Sequence, residues 1–127
     1  MTKYILDSSA LLAVLLEENG SEKVEKIMGH AVLSVVNFSE IMSKMLLKGL
    51  QVVETLDHIK SLIPEIIPFS IPIATKAAEL IIYTKTFGLS LGDRACIATA
   101  IDYGYEVITA DKIWTNIKVP IKITVIR

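Results

Sequence analysis

Residues 3–6 form a short, β-prone run that Asp7-Ser8-Ser9 cuts off. Side chains of this kind cap helices, and an apolar stretch follows, so a helix is expected over 10–18, closed by Asn19-Gly20. A second helix, 21–28, opens at Ser21 and carries Glu22 and Glu25 near its start, where the helix dipole favours acids. Residues 31–35 read as a buried strand. From Val36 the period becomes helical, with Phe38, Ile41, Met42, Met45 and Leu46 on one face, until Gly49 stops it. Helix 51–63 is broken by Pro64, and 65–69 is a short strand. Ser70 and Pro72 begin a long helix predicted to run to Gly88, and 92–103 is another, closed by Gly104. Strands at 105–109 and 122–126 complete the pattern.

Short strands that alternate with helices, and are apolar on both faces, indicate a parallel sheet covered on two sides. With right-handed crossovers the expected fold class is doubly wound α/β, a three-layer sandwich around a short, mainly parallel, twisted sheet. No repeat, low-complexity tract or linker divides the chain, so residues 1–127 are expected to form one domain. Ligands bind such sheets outside the carboxyl ends of the strands, at the switch point. Polar residues directly after strands are therefore the ones to weigh.

Composition narrows the chemistry. The chain is 52% hydrophobic and 21% charged, which excludes a disordered tail. The longest stretch without Asp, Glu, Lys or Arg covers 27–39, far short of the ~20 residues that a membrane helix needs, so no membrane association is expected. The single cysteine, Cys96, forbids an internal disulfide and fits a reducing, cytoplasmic setting. With His30 and His58 as the only histidines, ligands for zinc are lacking. A net charge of −1 gives no global attraction for nucleic acid, so any such binding rests on a local patch.

Four acids stand where a site would lie. Asp7 follows the first strand; as a bland alternative it caps the next helix, although Ser8 and Ser9 could each do that instead. Asp111 follows the strand ending at Thr109, where it could equally be a turn aspartate. Asp93 opens an Ala-rich helix; at ~100° per residue it shares a face with Ile97 and Ala100, which should pack on the sheet, while Asp102 points away. An inward carboxylate needs a partner or a cation. Glu40 lies opposite the Phe38/Ile41/Met45 face, on a stripe with Asn37 and Lys44, and could line a cleft or simply pair with Lys44 in water. Carboxylates a few ångströms apart either hold protons or admit a cation. An all-oxygen donor set suits Mg²⁺ or Mn²⁺, and such an ion supports phosphodiester hydrolysis.

These residues resemble a family. Tyr4-Ile5-Leu6-Asp7-Ser8-Ser9-Ala10-Leu11-Leu12 looks like the opening motif of PIN-domain ribonucleases, and Val36-Asn37-Phe38-Ser39-Glu40-Ile41 is similar to their second motif. The segment 89–98, Leu-Ser-Leu-Gly-Asp-Arg-Ala-Cys-Ile-Ala, resembles the third and 107–114, Val-Ile-Thr-Ala-Asp-Lys-Ile-Trp, the fourth. A stand-alone chain of this length most resembles the VapC toxins of toxin–antitoxin pairs. The resemblance implies a PIN-like fold and an endoribonuclease whose Mg²⁺ or Mn²⁺ site is formed by Asp7, Glu40, Asp93 and Asp111, leaving a 5′-phosphate and a 3′-hydroxyl. It implies that Ser8 and Thr109 support the site by hydrogen bonding, and that Asn116 stands where many members carry a further acid or amide. Arg94 and Lys112, each beside a proposed ligand, would contact RNA phosphate or an antitoxin carboxylate, or only offset the acids.

The same resemblance implies a homodimer and a cognate VapB-like antitoxin docked near the site, with a transfer RNA or a ribosomal RNA loop as substrate. Leu11, Leu12, Leu15, Leu16, Met42, Met45, Leu46 and Leu47 are more apolar residues than one small core evidently needs, though ordinary packing would also use them. Other classes fit less well. A receiver domain needs acids before Asp7, and residues 1–6 contain none; a nucleotide-binding fold needs a Gly-rich loop after Leu6. The non-enzymatic alternative is an inactive PIN-like scaffold that binds RNA or a partner.

Overall fold

The computed structural model describes residues 3–127. Five parallel strands, β1 (Tyr4–Leu6), β2 (Ala31–Ser34), β3 (Glu65–Ile67), β4 (Glu106–Thr109) and β5 (Ile123–Val125), form one sheet in the order β3-β2-β1-β4-β5. The chain builds outward from β1 to β3, then returns to pair β4 with the other side of β1. The switch point therefore falls between the carboxyl ends of β1 and β4.

Alternation along each strand makes the two cores. Leu6, Leu33 and Ile108 face one side, beneath α1 (Ser8–Leu15), α2 (Ser21–Ile27), α3 (Val35–Leu47) and α4 (Val52–Leu62). Ile5, Val32 and Val107 face the other, where α5 (Ile71–Glu79) and α7 (Leu91–Tyr103) pack with the buried Trp114. A strand buried on both faces cannot alternate apolar with polar residues, which is why these runs are continuously apolar. The expected three-layer α/β sandwich is what forms, with every strand pair parallel.

Two segments differ from the sequence expectation. The long helix predicted from Ser70 to Gly88 is α5, then a single turn α6 (Ile81–Thr84), then a 3₁₀ turn at Lys85–Phe87. At the break, the Leu80 carbonyl accepts from the Tyr83 N–H, three residues on, and from the Thr84 hydroxyl. That tighter pairing bends the helix while Leu80 stays in the core. A 3₁₀ helix at Lys112–Asn116, which the hydrophobic pattern does not signal, follows β4 and carries Trp114 inward. Of the apolar surplus on α1 and α3, Leu11, Leu12 and Met45 are buried and Leu15, Leu16 and Met42 pack against the same core, leaving Leu46 and Leu47 exposed.

Candidate active site

The first strand delivers Asp7 to the sheet's carboxyl edge, where its N–H donates to the Ile108 carbonyl of β4. Its side chain caps α1, Oδ1 accepting from the Ala10 N–H at 2.9 Å. Ser9 donates to the same carboxylate, and the Thr109 hydroxyl donates to Oδ2 at 2.8 Å. Ser9 in turn accepts from the Ala110 N–H and Thr109 from the Asp111 N–H, so the end of β4 is tied to Asp7 through two hydroxyls. Capping and site-building are here one arrangement.

Asp93 and Asp111 repeat the device. Ser90 and Asp93 form a reciprocal capping box at the start of α7, with Asp93 Oδ2 accepting from the Ser90 N–H at 2.9 Å. Asp111 caps the 3₁₀ turn, Oδ1 accepting from the Ile113 N–H. Glu40 comes from α3 and does not pair with Lys44 among the described residues; its Oε1 accepts from the Ser8 hydroxyl at 2.6 Å and from Asn37 Nδ2 at 2.8 Å. Asn37 is buried and its amide also donates to the Gly92 carbonyl, linking α3 to α7. A side chain at Gly92 would overlap the Glu40 carboxyl, so glycine leaves that carboxyl its place between the two helices.

All four carboxylates line one cleft of about 240 Å³, with Ser8, Ser9, Ser90 and Lys44 on its remaining walls. Burial lifts the pKa of Asp7 from 3.8 to about 6, against the opposing hydrogen bonds and with a further push from the charge of Asp93. Burial also raises that of Asp93, with Glu40 and Asp111 adding repulsion against the Ser90 hydrogen bonds. Behind them the buried Cys96 thiol is held well above its ordinary value by burial and by the charges of Asp7, Asp93 and Glu40. Carboxylates from four chain segments thus feel one another.

Among the described residues no three of the His, Cys, Asp and Glu side chains stand close enough together to hold a metal ion as they are placed. The donor set nonetheless fits a hard cation. Glu40 Oε2, Asp93 Oδ1 and Asp111 Oδ2 receive no donor among the described residues, and an open cleft leaves room for the waters that Mg²⁺ retains. Three proposed neighbours lie elsewhere. Arg94 is turned to α5, donating to the Ala77 carbonyl, while Lys112 and Asn116 are exposed and outside the cleft walls. Lys44 is the cation that lines the cleft.

The family model described as PIN domain matches residues 4–120. The chain belongs to the PIN domain family. Its fold is similar to a chain of a toxin–antitoxin complex from Klebsiella pneumoniae, with a TM-score of 0.75, 18% identity and 98% of each chain covered. A chain of the DNA-bound VapBC from Salmonella typhimurium is similar at a TM-score of 0.72 and 17% identity, again over 98% of both. VapBC-5 from Mycobacterium tuberculosis follows at 0.67 and 21%, covering 100% of this PIN domain and 99% of that chain. No sequence among curated proteins matches. No helix of the described residues is long and apolar enough to cross a membrane.

Sequence reasoning passed over Ser9 and Gly92 as working parts of the site, and placed Asn37 and Lys44 only on a stripe that could line a cleft or face water. Gly92 carried a signal: a glycine in the first turn of an Ala-rich helix costs helix stability and is best explained by a close approach.

Proposed function

We propose that this PIN domain is a Mg²⁺- or Mn²⁺-dependent endoribonuclease of the VapC type, the toxin of a toxin–antitoxin pair. The observation that carries the reading is the convergence of Asp7, Glu40, Asp93 and Asp111 on one cleft at the switch point of the sheet. When bound there, the ion would polarise a phosphoryl oxygen and activate a water. Asp7, Glu40, Asp93 and Asp111 would hold it. Ser9 and Thr109 fix the Asp7 carboxylate, and Ser8 fixes Glu40. Lys44, on the same wall, supplies a positive charge to the substrate phosphate. An RNA single strand or loop fits an open groove of this kind better than a closed duplex.

The solved structures of similar fold include VapBC complexes, which supports a VapB-like antitoxin as partner. Exposed apolar side chains support partner coverage as well: Leu47, Leu50, Val52 and Val53 about the α3–α4 turn, and Ile81, Ile82 and Tyr83 on α6.

The test is cleavage of total RNA by antitoxin-free protein in Mg²⁺ or Mn²⁺, with EDTA and Asp93→Asn alongside. Defined fragments that vanish under both treatments are expected. Cleavage that survives Asp93→Asn would refute the site. No cleavage by folded wild type across transfer and ribosomal RNA would favour the scaffold.

A further inference from the structure

We infer that Asn37 is the positioning residue of this site: its amide aims the Glu40 carboxylate into the cleft and locks α3 against α7, the two helices that carry Glu40 and Asp93. The inference rests on the metal-site reading above. Asn37 lies three residues before Glu40 on α3, is 1% exposed, and spends both of its N–H donors on the site, one on Glu40 Oε1 at 2.8 Å and one on the Gly92 carbonyl at 3.1 Å. Its orientation is unambiguous. Both partners are pure acceptors, so a flipped amide would set its oxygen against a carboxylate and a carbonyl. The Oδ1 atom is buried without a partner among the described residues, which is costly for an amide, and the pair of donors is what the residue contributes in return.

The consequence for Glu40 is directional. With Asn37 and Ser8 both bonded to Oε1, the carboxylate is oriented and Oε2 is left free of protein donors among the described residues. The absent side chain of Gly92 sets the other boundary, since the Glu40 carboxyl occupies the space a Cβ would take. Outer partners of this sort orient ligands and raise affinity for the ion, typically by 10- to 100-fold.

The experiment is Mn²⁺ titration of the RNA-free protein by electron paramagnetic resonance, using wild type, Asn37→Ala, Glu40→Ala and the double variant. Asn37→Ala is expected to weaken Mn²⁺ binding about tenfold in the wild-type background and to change nothing once Glu40 is gone. Isosteric Asn37→Asp, which keeps the volume and loses both donors, should weaken it too and serves if the alanine variant does not fold. Equal weakening with and without Glu40 would overturn the inference, because a merely structural role does not depend on Glu40. So would unchanged affinity in a wild type that binds Mn²⁺ and cleaves RNA. A wild type that binds no Mn²⁺ would instead sink the metal reading. The Asn37 amide protons then judge the link alone: slow exchange that is lost in Glu40→Ala supports it, and signals indifferent to Glu40 refute it.

Discussion

Replacing Asp7 by asparagine should stabilise the metal-free protein at neutral pH while abolishing its activity. Asp7 is 3% exposed, and its pKa is raised from 3.8 to about 6, chiefly by burial. The native chain thus holds this proton more tightly than the unfolded chain. Its contribution to stability is most favourable below the unfolded value of 3.8, declines as pH rises between 3.8 and about 6, and is at its worst above that. At about 1.4 kcal/mol per pH unit the ionised carboxylate costs the empty site about 3 kcal/mol at pH 7.5. Asparagine is neutral throughout. Its oxygen still accepts from Ser9 and the Ala10 N–H, and the Thr109 hydroxyl can rotate to accept from its nitrogen. Urea unfolding in EDTA should therefore find Asp7→Asn more stable than wild type by about 1–3 kcal/mol at pH 7.5, with the gap closing towards pH 4. Added Mn²⁺ should narrow the gap from the other side by stabilising wild type alone. A stability difference that does not vary with pH, or that has the opposite sign at pH 7.5, would refute the reasoning.

Two further perturbations probe the neighbourhood. Gly92→Ala forces the flexible Glu40 carboxyl aside, so unfolding free energy should change by no more than about 1 kcal/mol, since a better helix former offsets the crowding. RNA cleavage by Gly92→Ala should nevertheless fall at least tenfold, and full activity would show that the α3–α7 contact does not matter to Glu40. Cys96, fully buried and with its thiol held well above 9.0, should react with a thiol reagent roughly 10³-fold or more slowly in the native protein than in urea. Rapid stoichiometric labelling without denaturant would show that the layer behind the acids opens readily.

The architecture was legible because strands buried on both faces leave an unmistakable pattern, as in Ile5-Leu6, Val32-Leu33 and Val107-Ile108, each pair divided between the two cores. What failed was local. No periodicity marks the break at Leu80, since it depends on which donor takes one carbonyl, and the 3₁₀ turn after Asp111 exists to bring Trp114 inward. Helical angle turned Asp93 towards the sheet, and the structure leaves it half-buried at the wall of the cleft. The same reasoning put Glu40 opposite the core face, which is true, yet that side meets Ser8 and the start of α7 as well as water. The stripe was read as able to line a cleft, but the burial of Asn37 was not foreseen for the same reason: a residue on a polar stripe is buried only when another helix arrives, and a single sequence does not state which helices meet.

The deeper lesson concerns the choice between cap and ligand. Weighed singly, Asp7 reads as a helix cap and Asp111 as a turn aspartate, yet all three aspartates serve helix starts: Asp7 caps α1, Asp111 caps the 3₁₀ turn, and Asp93 accepts from the N–H of Ser90, the cap of α7. The error lies in treating the two roles as rivals. An N-cap fixes a carboxylate at a helix start with one oxygen on a backbone N–H, and the positive end of the helix partly offsets its charge. In Asp93 and Asp111 that leaves the second oxygen directed away from the backbone donor and free for the cleft. A parallel sheet brings several such starts to one edge. Capping is therefore how this fold fixes several carboxylates at one edge, and the pKa values of Asp7 and Asp93 are raised chiefly by their burial there, with the neighbouring acids adding to it.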